Sequence, residues 1–175
     1  AYNIFACNGI LFNHESPLRG ETFVTKKIIS ALCKISLSGT GNLYLGNLYS
    51  KRDWGHAKDY VLAMWKMLQR KNPKDYVIAS GRQYSVKYFV NLICDILKIK
   101  IYWKGKGINE KAYWNGKVII SIDKKYFRPT EVDSLLGDSS KARKELRWKP
   151  LYNIRSLAQD MVAEEFKKIH VNKKK

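Results

Sequence analysis

Cysteine, acidic residues, arginine and long apolar runs are all scarce in this 175-residue chain, and each shortage excludes something. The three cysteines, Cys7, Cys33 and Cys94, are odd in number and form no Cys-x-x-Cys pair, so a disulfide framework is not expected. His14, His56 and His170 lie far apart and show no zinc spacing, so no metal is expected. No apolar run approaches the ~18 residues that span a bilayer, and no charged-then-apolar leader opens the chain. The expectation is a cytoplasmic protein with no membrane partner. A Gly-x-Gly-x-x-Gly cofactor loop is also missing, because Gly39 and Gly41 are followed by Tyr44 where a third glycine is required.

What is present is core-forming residue and positive charge. Hydrophobic residues make up 45% of the chain and aromatics 13%, which excludes wholesale disorder. Lys and Arg number 33 against 15 Asp and Glu, giving a net charge of +18. Such a balance raises the possibility of a nucleic-acid-binding module. The basic residues, however, are 25 lysines and 8 arginines. Base readout and bidentate phosphate contacts favour the planar guanidinium. The lysines are dispersed, apart from a terminal cluster at Lys167, Lys168, Lys173, Lys174 and Lys175, which reads as a solvated tail. No nucleic-acid partner is expected, and a basic module stays as an alternative.

Residues 1–13 are apolar and aromatic but interrupted by glycine, and read as a buried strand running into a loop. With no initiator Met, a chain opening inside a strand is expected to be cut from something longer. Residues 14–20 read as a polar loop. Residues 23–37 predict a helix with Val24, Ile28, Leu32 and Ile35 on one face. A short strand is expected at 43–45. Residues 57–69 predict a second helix, with Ala57, Val61, Met64, Trp65 and Leu68 as a core-facing stripe, ended by Asn72-Pro73. A strand at 76–79 precedes a helix from Ser85 to about Lys98. Strands at 99–103 and 118–122 flank an expected loop at 108–117. Asp138 or Ser139 caps a short helix through Leu146, and Asn153 caps a last one. Strands alternating with helices argue for an α/β fold.

Three polar clusters stand out. Asn13, His14, Glu15 and Arg19 follow a strand, where ligands bind in open α/β sheets; ordinary loop charges are the other reading. Arg52 sits beside a helix start and can hold a phosphate, or Asp53 caps the helix and Arg52 faces solvent. Arg128 and Glu131 can grip an anion and a donor-rich base, or form a surface pair. Tyr102/Lys106 and Tyr113/Lys117 match Tyr-x-x-x-Lys, but that pair needs one helix face and these intervals contain Gly105 and Gly116. Both matches are read as chance.

The segments Asn8-Gly9-Ile10-Leu11-Phe12-Asn13-His14-Glu15-Ser16-Pro17, Arg19-Gly20-Glu21-Thr22-Phe23-Val24 and Leu43-Tyr44-Leu45-Gly46-Asn47-Leu48 resemble the GDP-mannose 4,6-dehydratase family. So do residues 51–60, Tyr126-Phe127-Arg128-Pro129-Thr130-Glu131, and Leu146-Arg147-Trp148-Lys149-Pro150. The similarity runs over residues 1–165, with 166–175 as the tail, and corresponds to the C-terminal half of the family enzyme.

The resemblance implies the C-terminal part of an NAD(P)-binding, Rossmann-like extended short-chain dehydrogenase fold, with a smaller α/β substrate-binding subdomain. It implies NADP as cofactor and GDP-mannose as substrate. It further implies conversion to GDP-4-keto-6-deoxymannose, and a homo-oligomer, dimer or tetramer, for the full-length protein. His14 and Arg19 match cofactor-binding positions. Asn8, Val24, Lys27, Arg52, Arg128 and Glu131 match positions that hold the GDP portion. Catalytic residues are expected in a first half that this sequence does not include, so the chain alone is expected to be inactive and prone to aggregate. One departure is Leu18, where many family members carry a second arginine. Another nucleotide-sugar dehydratase or epimerase of the extended family, or a non-catalytic relative, is the alternative within the same fold.

Overall fold

The computed structural model describes residues 2, 4–127 and 132–172. The opening stretch is not one buried strand. It holds two short ones, β1 (Gly9–Leu11) and β2 (Asn13–Glu15), which part at Phe12 and join different sheets. Tyr2, Ile4, Phe5 and Ile10 are exposed, and only residues 9–11 of this stretch pair with β5. The polar loop expected from His14 therefore begins after Glu15.

α1 (Val24–Ser38) matches its apolar period, burying Ile28, Leu32 and Ile35. It stops at Gly39, whose φ of 68° is a left-handed cap that glycine adopts without strain. β3 (Leu43–Leu45) falls on the expected residues, and β4 (Lys51–His56) was not anticipated. β4 leads directly into α2 (Ala57–Leu68), which is capped by His56 and not by Asp53. The His56 Nδ1 accepts from the Lys58 N–H at 3.1 Å, while its Nε2 lies 2.9 Å from Asp160 Oδ2.

The stripe expected to face the core on α2 does not. Val61, Met64, Trp65 and Leu68 are exposed, and the buried positions are Asp59, Tyr60, Ala63 and Met67. The apolar arc of α2 is wider than the strip its neighbours cover, so its centre misidentifies the packed face.

β5 (Tyr76–Ile78) and β6 (Gln83–Ser85) follow, then α3 (Val86–Ile96), where the Ser85 hydroxyl accepts from the Tyr88 N–H as its sequence position predicts. Half of the region expected to be a loop at 108–117 is strand. β7 (Tyr102–Lys104), β8 (Lys111–Trp114) and β9 (Lys117–Ile122) form an antiparallel meander. β8 and β9 turn through Asn115-Gly116, both at positive φ (48° and 76°), the hairpin chemistry that Asn-Gly supplies. That dipeptide was the overlooked signal. Neither Tyr-x-x-x-Lys match shares a helix; Tyr102 and Tyr113 sit opposite each other with rings 5.3 Å apart. α4 (Ser140–Leu146) and α5 (Ile154–Asn172) follow, with the Asn153 side chain accepting from the Arg155 and Ser156 N–H groups.

The described residues form three sheets. β1 pairs with β5 in parallel, β2-β4-β6 form a mixed sheet, and β3-β9-β8-β7 form the third. The larger core lies where α1, α3 and α5 meet β3, β4 and β9. A smaller one lies under α2, α4 and β5, around Tyr60, Met67, Tyr76 and Trp148. Buried tethers between distant residues brace the arrangement. The Lys26 ammonium on α1 donates to Glu165 on α5 at 2.6 Å, both side chains buried. The Asp53 carboxylate on β4, fully buried, accepts from the backbone N–H of Ser80, Gly81 and Gly137 at 2.8, 2.9 and 3.3 Å.

All three cysteines are free thiols, and burial pushes those of Cys33 and Cys94 up to about 12. Because the thiolate is the reactive form, these two should resist a disulfide reagent at neutral pH until the chain unfolds. Cys7 is only half-buried. Thiol titration of the native protein is expected to find one fast group, and denaturant should release two more.

Candidate functional site

Two clefts adjoin where β2 ends and α1 begins. The larger, about 630 Å³, is walled by the start of α1, the β3 loop, β4 and the segment at Lys125–Phe127. Val24 and Lys27 reach it from α1, and Arg52 from β4. Helical spacing explains the first two, since positions three apart project from the same side of α1. The smaller cleft, about 360 Å³, is lined by Leu11, Phe12, Asn13, His14, Arg19 and Leu135. Asn13 and Arg19 line both, so they stand at the junction.

The residues predicted to hold the nucleotide sugar and those predicted to hold the cofactor thus converge from three elements. Asn8 does not join them: it is exposed before β1, its N–H donating to Asp75 Oδ1 at 2.6 Å, and it is absent from both linings. Arg128 and Glu131 lie outside the described residues.

Arg19 is held in place by its neighbours. Its guanidinium carbon sits 3.4 Å over the Phe23 ring centroid, and its Nε lies 3.1 Å from Glu15 Oε2. That approach is an ion pair out of line for a hydrogen bond, so this buried N–H has no hydrogen-bond partner among the described residues. Glu15 is itself buried and accepts from the Thr25 hydroxyl at 2.7 Å. Burial raises the Glu15 carboxyl above the usual glutamate value, against the opposing pull of Thr25, Arg19 and His14. The His14 ring packs 5.1 Å from that of Tyr60, and its Nδ1 is 3.1 Å from the Phe12 carbonyl oxygen.

In the larger cleft, the Lys27 ammonium lies 3.5 Å over the Tyr126 ring and donates to the Tyr44 carbonyl at 2.6 Å. The Arg52 guanidinium donates to the carbonyls of Val132 at 2.6 Å and Lys51 at 2.9 Å. The wall therefore combines aromatic faces (Phe23, Trp54, Tyr126, Phe127) with cations from Arg19, Lys27, Arg52 and Lys125. Apolar and aromatic surface with a few fixed cations suits a planar base bearing phosphates.

Sequence reasoning did not single out Trp54, Tyr126 or Gly46 as parts of this wall. Gly46 had a readable signal. A Cβ there would collide with the Tyr126 carbonyl oxygen, so only glycine lets the β3 loop close against that segment. An apolar cavity of about 380 Å³ lies beyond this contact, between Tyr49, Ile108 and Phe127. Among the described residues no group of three or more His, Cys, Asp or Glu could hold a metal ion, and no helix is long and apolar enough to cross a membrane.

Comparison with known proteins fits this geometry. The family model for GDP-mannose 4,6 dehydratase matches residues 1–161. The Drosophila melanogaster GDP-mannose 4,6 dehydratase is 53% identical over 174 residues, covering 98% of this chain and 44% of that protein. The Sinorhizobium fredii GDP-mannose 4,6-dehydratase is 52% identical over 167 residues, covering 94% of this chain and 48% of its own length. The chain thus spans about half the length of the curated relatives it matches. Among solved structures, Pseudomonas aeruginosa RMD complexed with NADPH superimposes with a TM-score of 0.72 at 16% identity, covering 91% of this chain and 47% of that one. Bacillus anthracis dTDP-glucose 4,6-dehydratase in complex with NAD gives 0.71 at 17%, covering 94% and 45%. At such identities the structures speak for the fold alone, the α/β fold of NAD(P)-binding extended short-chain dehydratases and epimerases. The sequence relatives carry the finer statement: the chain belongs to the GDP-mannose 4,6-dehydratase family.

Proposed function

We propose that this chain is the nucleotide-sugar-binding part of a GDP-mannose 4,6-dehydratase, acting in the conversion of GDP-mannose to GDP-4-keto-6-deoxymannose. The observation that carries the reading is the convergence of Val24, Lys27 and Arg52 on one cleft that meets the His14 cleft at Arg19. In this reading Lys27 and Arg52, with Arg128, hold the diphosphate and ribose side. Glu131 accepts from the guanine N1–H and N2–H groups, a pattern that uracil does not offer.

The smaller cleft suits NADP, because His14 and the partly unsatisfied Arg19 guanidinium offer donors to phosphate or ribose oxygens. When bound, that cofactor supplies reversible hydride transfer. The groups that move the hydride and the C5 proton are assigned to the part of the relatives' length outside this match. Cytoplasmic residence, consistent with three free thiols, and homo-oligomerisation of the full-length protein belong to the same reading.

The test is nucleotide binding by calorimetry. GDP is expected to bind more tightly than UDP, and Arg52→Ala to weaken GDP by about 10- to 100-fold, the effect of losing one or two charge-assisted contacts to phosphate. Equal affinity for the two nucleotides, or an Arg52→Ala variant that binds as wild type, would count against the assignment. Measurable turnover of GDP-mannose by the 175-residue chain alone would refute the placement of the catalytic groups outside it.

A further inference from the structure

The loop between β3 and β4, residues 46–50, is a partition. On one side lies the larger cleft, which Gly46, Asn47 and Ser50 line. On the other lies the apolar cavity of about 380 Å³, lined by Gly46, Asn47, Leu48 and Tyr49 with Ile108 and Phe127. Leu48 reaches the larger core, but Tyr49 is 57% exposed, and Gly46 and Asn47 have open space on both faces. A segment with so little packed against it depends on polar contacts for its position.

Those contacts meet at Glu110, on the turn that leads into β8. Its side chain is buried, and both carboxylate oxygens are engaged. Oε2 accepts from the Tyr49 hydroxyl at 2.8 Å, and Oε1 from the Lys87 ammonium at 2.5 Å. Lys87 stands in the first turn of α3, and its ammonium lies 4.8 Å from the Trp103 ring centroid and 5.5 Å from that of Tyr49. The backbone completes the grip, the N–H groups of Lys87 and Val86 donating to the Leu48 and Ser50 carbonyls at 2.8 and 3.2 Å. A single carboxylate thus joins the loop to α3 and to the β7–β8 turn. Taking that charge out of water is costly unless its lone pairs are met, and here a cation and a phenol meet them. Glu110 lines the apolar cavity but not the larger cleft.

We infer that Glu110 is a positioning residue: through Tyr49 and Lys87 it fixes the loop at residues 46–50, and so sets the wall that the larger cleft presents to its ligand. The open volume behind the loop gives the effect its direction. Without the carboxylate the loop can withdraw toward the cavity, the cleft widens, and a ligand that touches both walls is held less tightly. The ligand's identity, a nucleoside diphosphate, is taken from the proposed function; the loop's dependence on Glu110 stands apart from it.

The test compares Glu110→Gln, Tyr49→Phe and Lys111→Ala with wild type in the full 175-residue chain. Gln keeps the shape, but its amide oxygen can accept from only one of the two donors. Phe removes the Tyr49 hydroxyl and leaves the ion pair. Lys111, the exposed neighbour of Glu110, serves as the control and should change neither readout. Hydrogen exchange reads the loop: the Val86 and Lys87 amides should exchange at least about tenfold faster in Glu110→Gln, while those of Leu32 and Cys33 in α1 stay as they are. A carboxylate that only supported the fold would loosen both sets together. Calorimetry reads the cleft: GDP should bind about 3- to 10-fold more weakly in Glu110→Gln, the net contribution of about one hydrogen bond, and less so in Tyr49→Phe. Tyr49→Phe, at an exposed ring, carries both readouts should Glu110→Gln fail to fold.

Val86 and Lys87 amides that exchange as in wild type in the folded variants overturn the inference. So does exchange that rises equally in α1, or a GDP affinity left unchanged where wild type binds GDP. A wild-type chain that binds no nucleotide counts against the proposed function instead, and the exchange result then decides the inference alone.

Discussion

Lys26→Met is expected to destabilise the fold by about 3–5 kcal/mol, the cost of stranding a buried charge. Lys26 is 1% exposed and Glu165 6%, and their 2.6 Å ion pair ties α1 to α5 across the larger core. Met fills the space of the lysine stem but leaves the buried carboxylate with only the Ser30 hydrogen bond and the charge of Lys168 in place of its ion pair. The double variant Lys26→Met, Glu165→Leu should recover most of the loss, because two apolar groups need no pairing.

The pH dependence gives an independent check. Burial pushes the Glu165 carboxyl up, but hydrogen bonds from Lys26 and Ser30, with the charges of Lys26 and Lys168, hold it below the usual glutamate value. A depressed acid stabilises the native state above its unfolded value and loses that contribution as pH falls through the folded value. Wild type should therefore weaken on acidification below the ordinary glutamate range. In Lys26→Met the largest lowering partner is gone while burial remains, so the gap between the two proteins should narrow at low pH. Urea unfolding at neutral pH and near pH 4 measures both. A neutral-pH difference below about 1 kcal/mol would mean that the pair is worth no more than a surface bridge.

Asp53→Ala is expected to cost a similar amount, about 3–5 kcal/mol, by orphaning three backbone donors at once. The carboxylate gathers the N–H groups of Ser80, Gly81 and Gly137, so it joins β4 to the turn after β5 and to the approach to α4. The carboxylate is fully buried, so water does not readily replace it. Asp53→Asn should be milder, since the amide oxygen keeps one side of the clamp and the NH2 meets a donor on the other. Because Asp53 neighbours Arg52, GDP binding should weaken in Asp53→Ala even where the chain remains folded. Thermal unfolding and calorimetry on the same samples distinguish the two effects.

These two residues show what the chain order reveals and what it hides. The periods of α1 and α3, the caps at Ser85 and Asn153, and β3 are local chemistry and appear where the sequence places them. The cleft residues Val24, Lys27 and Arg52 were legible through the family's motifs, and the structure adds that they share a wall. Asp53 was read as a possible helix cap, because nothing in residues 51–58 discloses a partner at Gly137. The α2 stripe was assigned to the core by its period, yet period reports apolarity and not which neighbour is present. β8 was missed because its four residues, Lys111-Ala112-Tyr113-Trp114, are too few to show an alternating apolar face, and the Asn115-Gly116 turn is the clue beside them. Asn8 carries a family position but sits apart from the cleft, which sequence matching has no means of showing.

The Lys26–Glu165 tether also has a clock attached to it. Its partners are separated by 139 positions in the chain. A ribosome adding about 5–20 residues per second needs on the order of ten seconds to cover that interval. Throughout it, α1 carries in its first turn an ammonium that the folded core buries, with the Glu165 carboxylate not yet made to receive it. The helix that organises the larger core therefore waits for α5. During that wait the nascent chain depends on whatever else can shield Ile28, Ile29 and Leu32 from neighbouring chains.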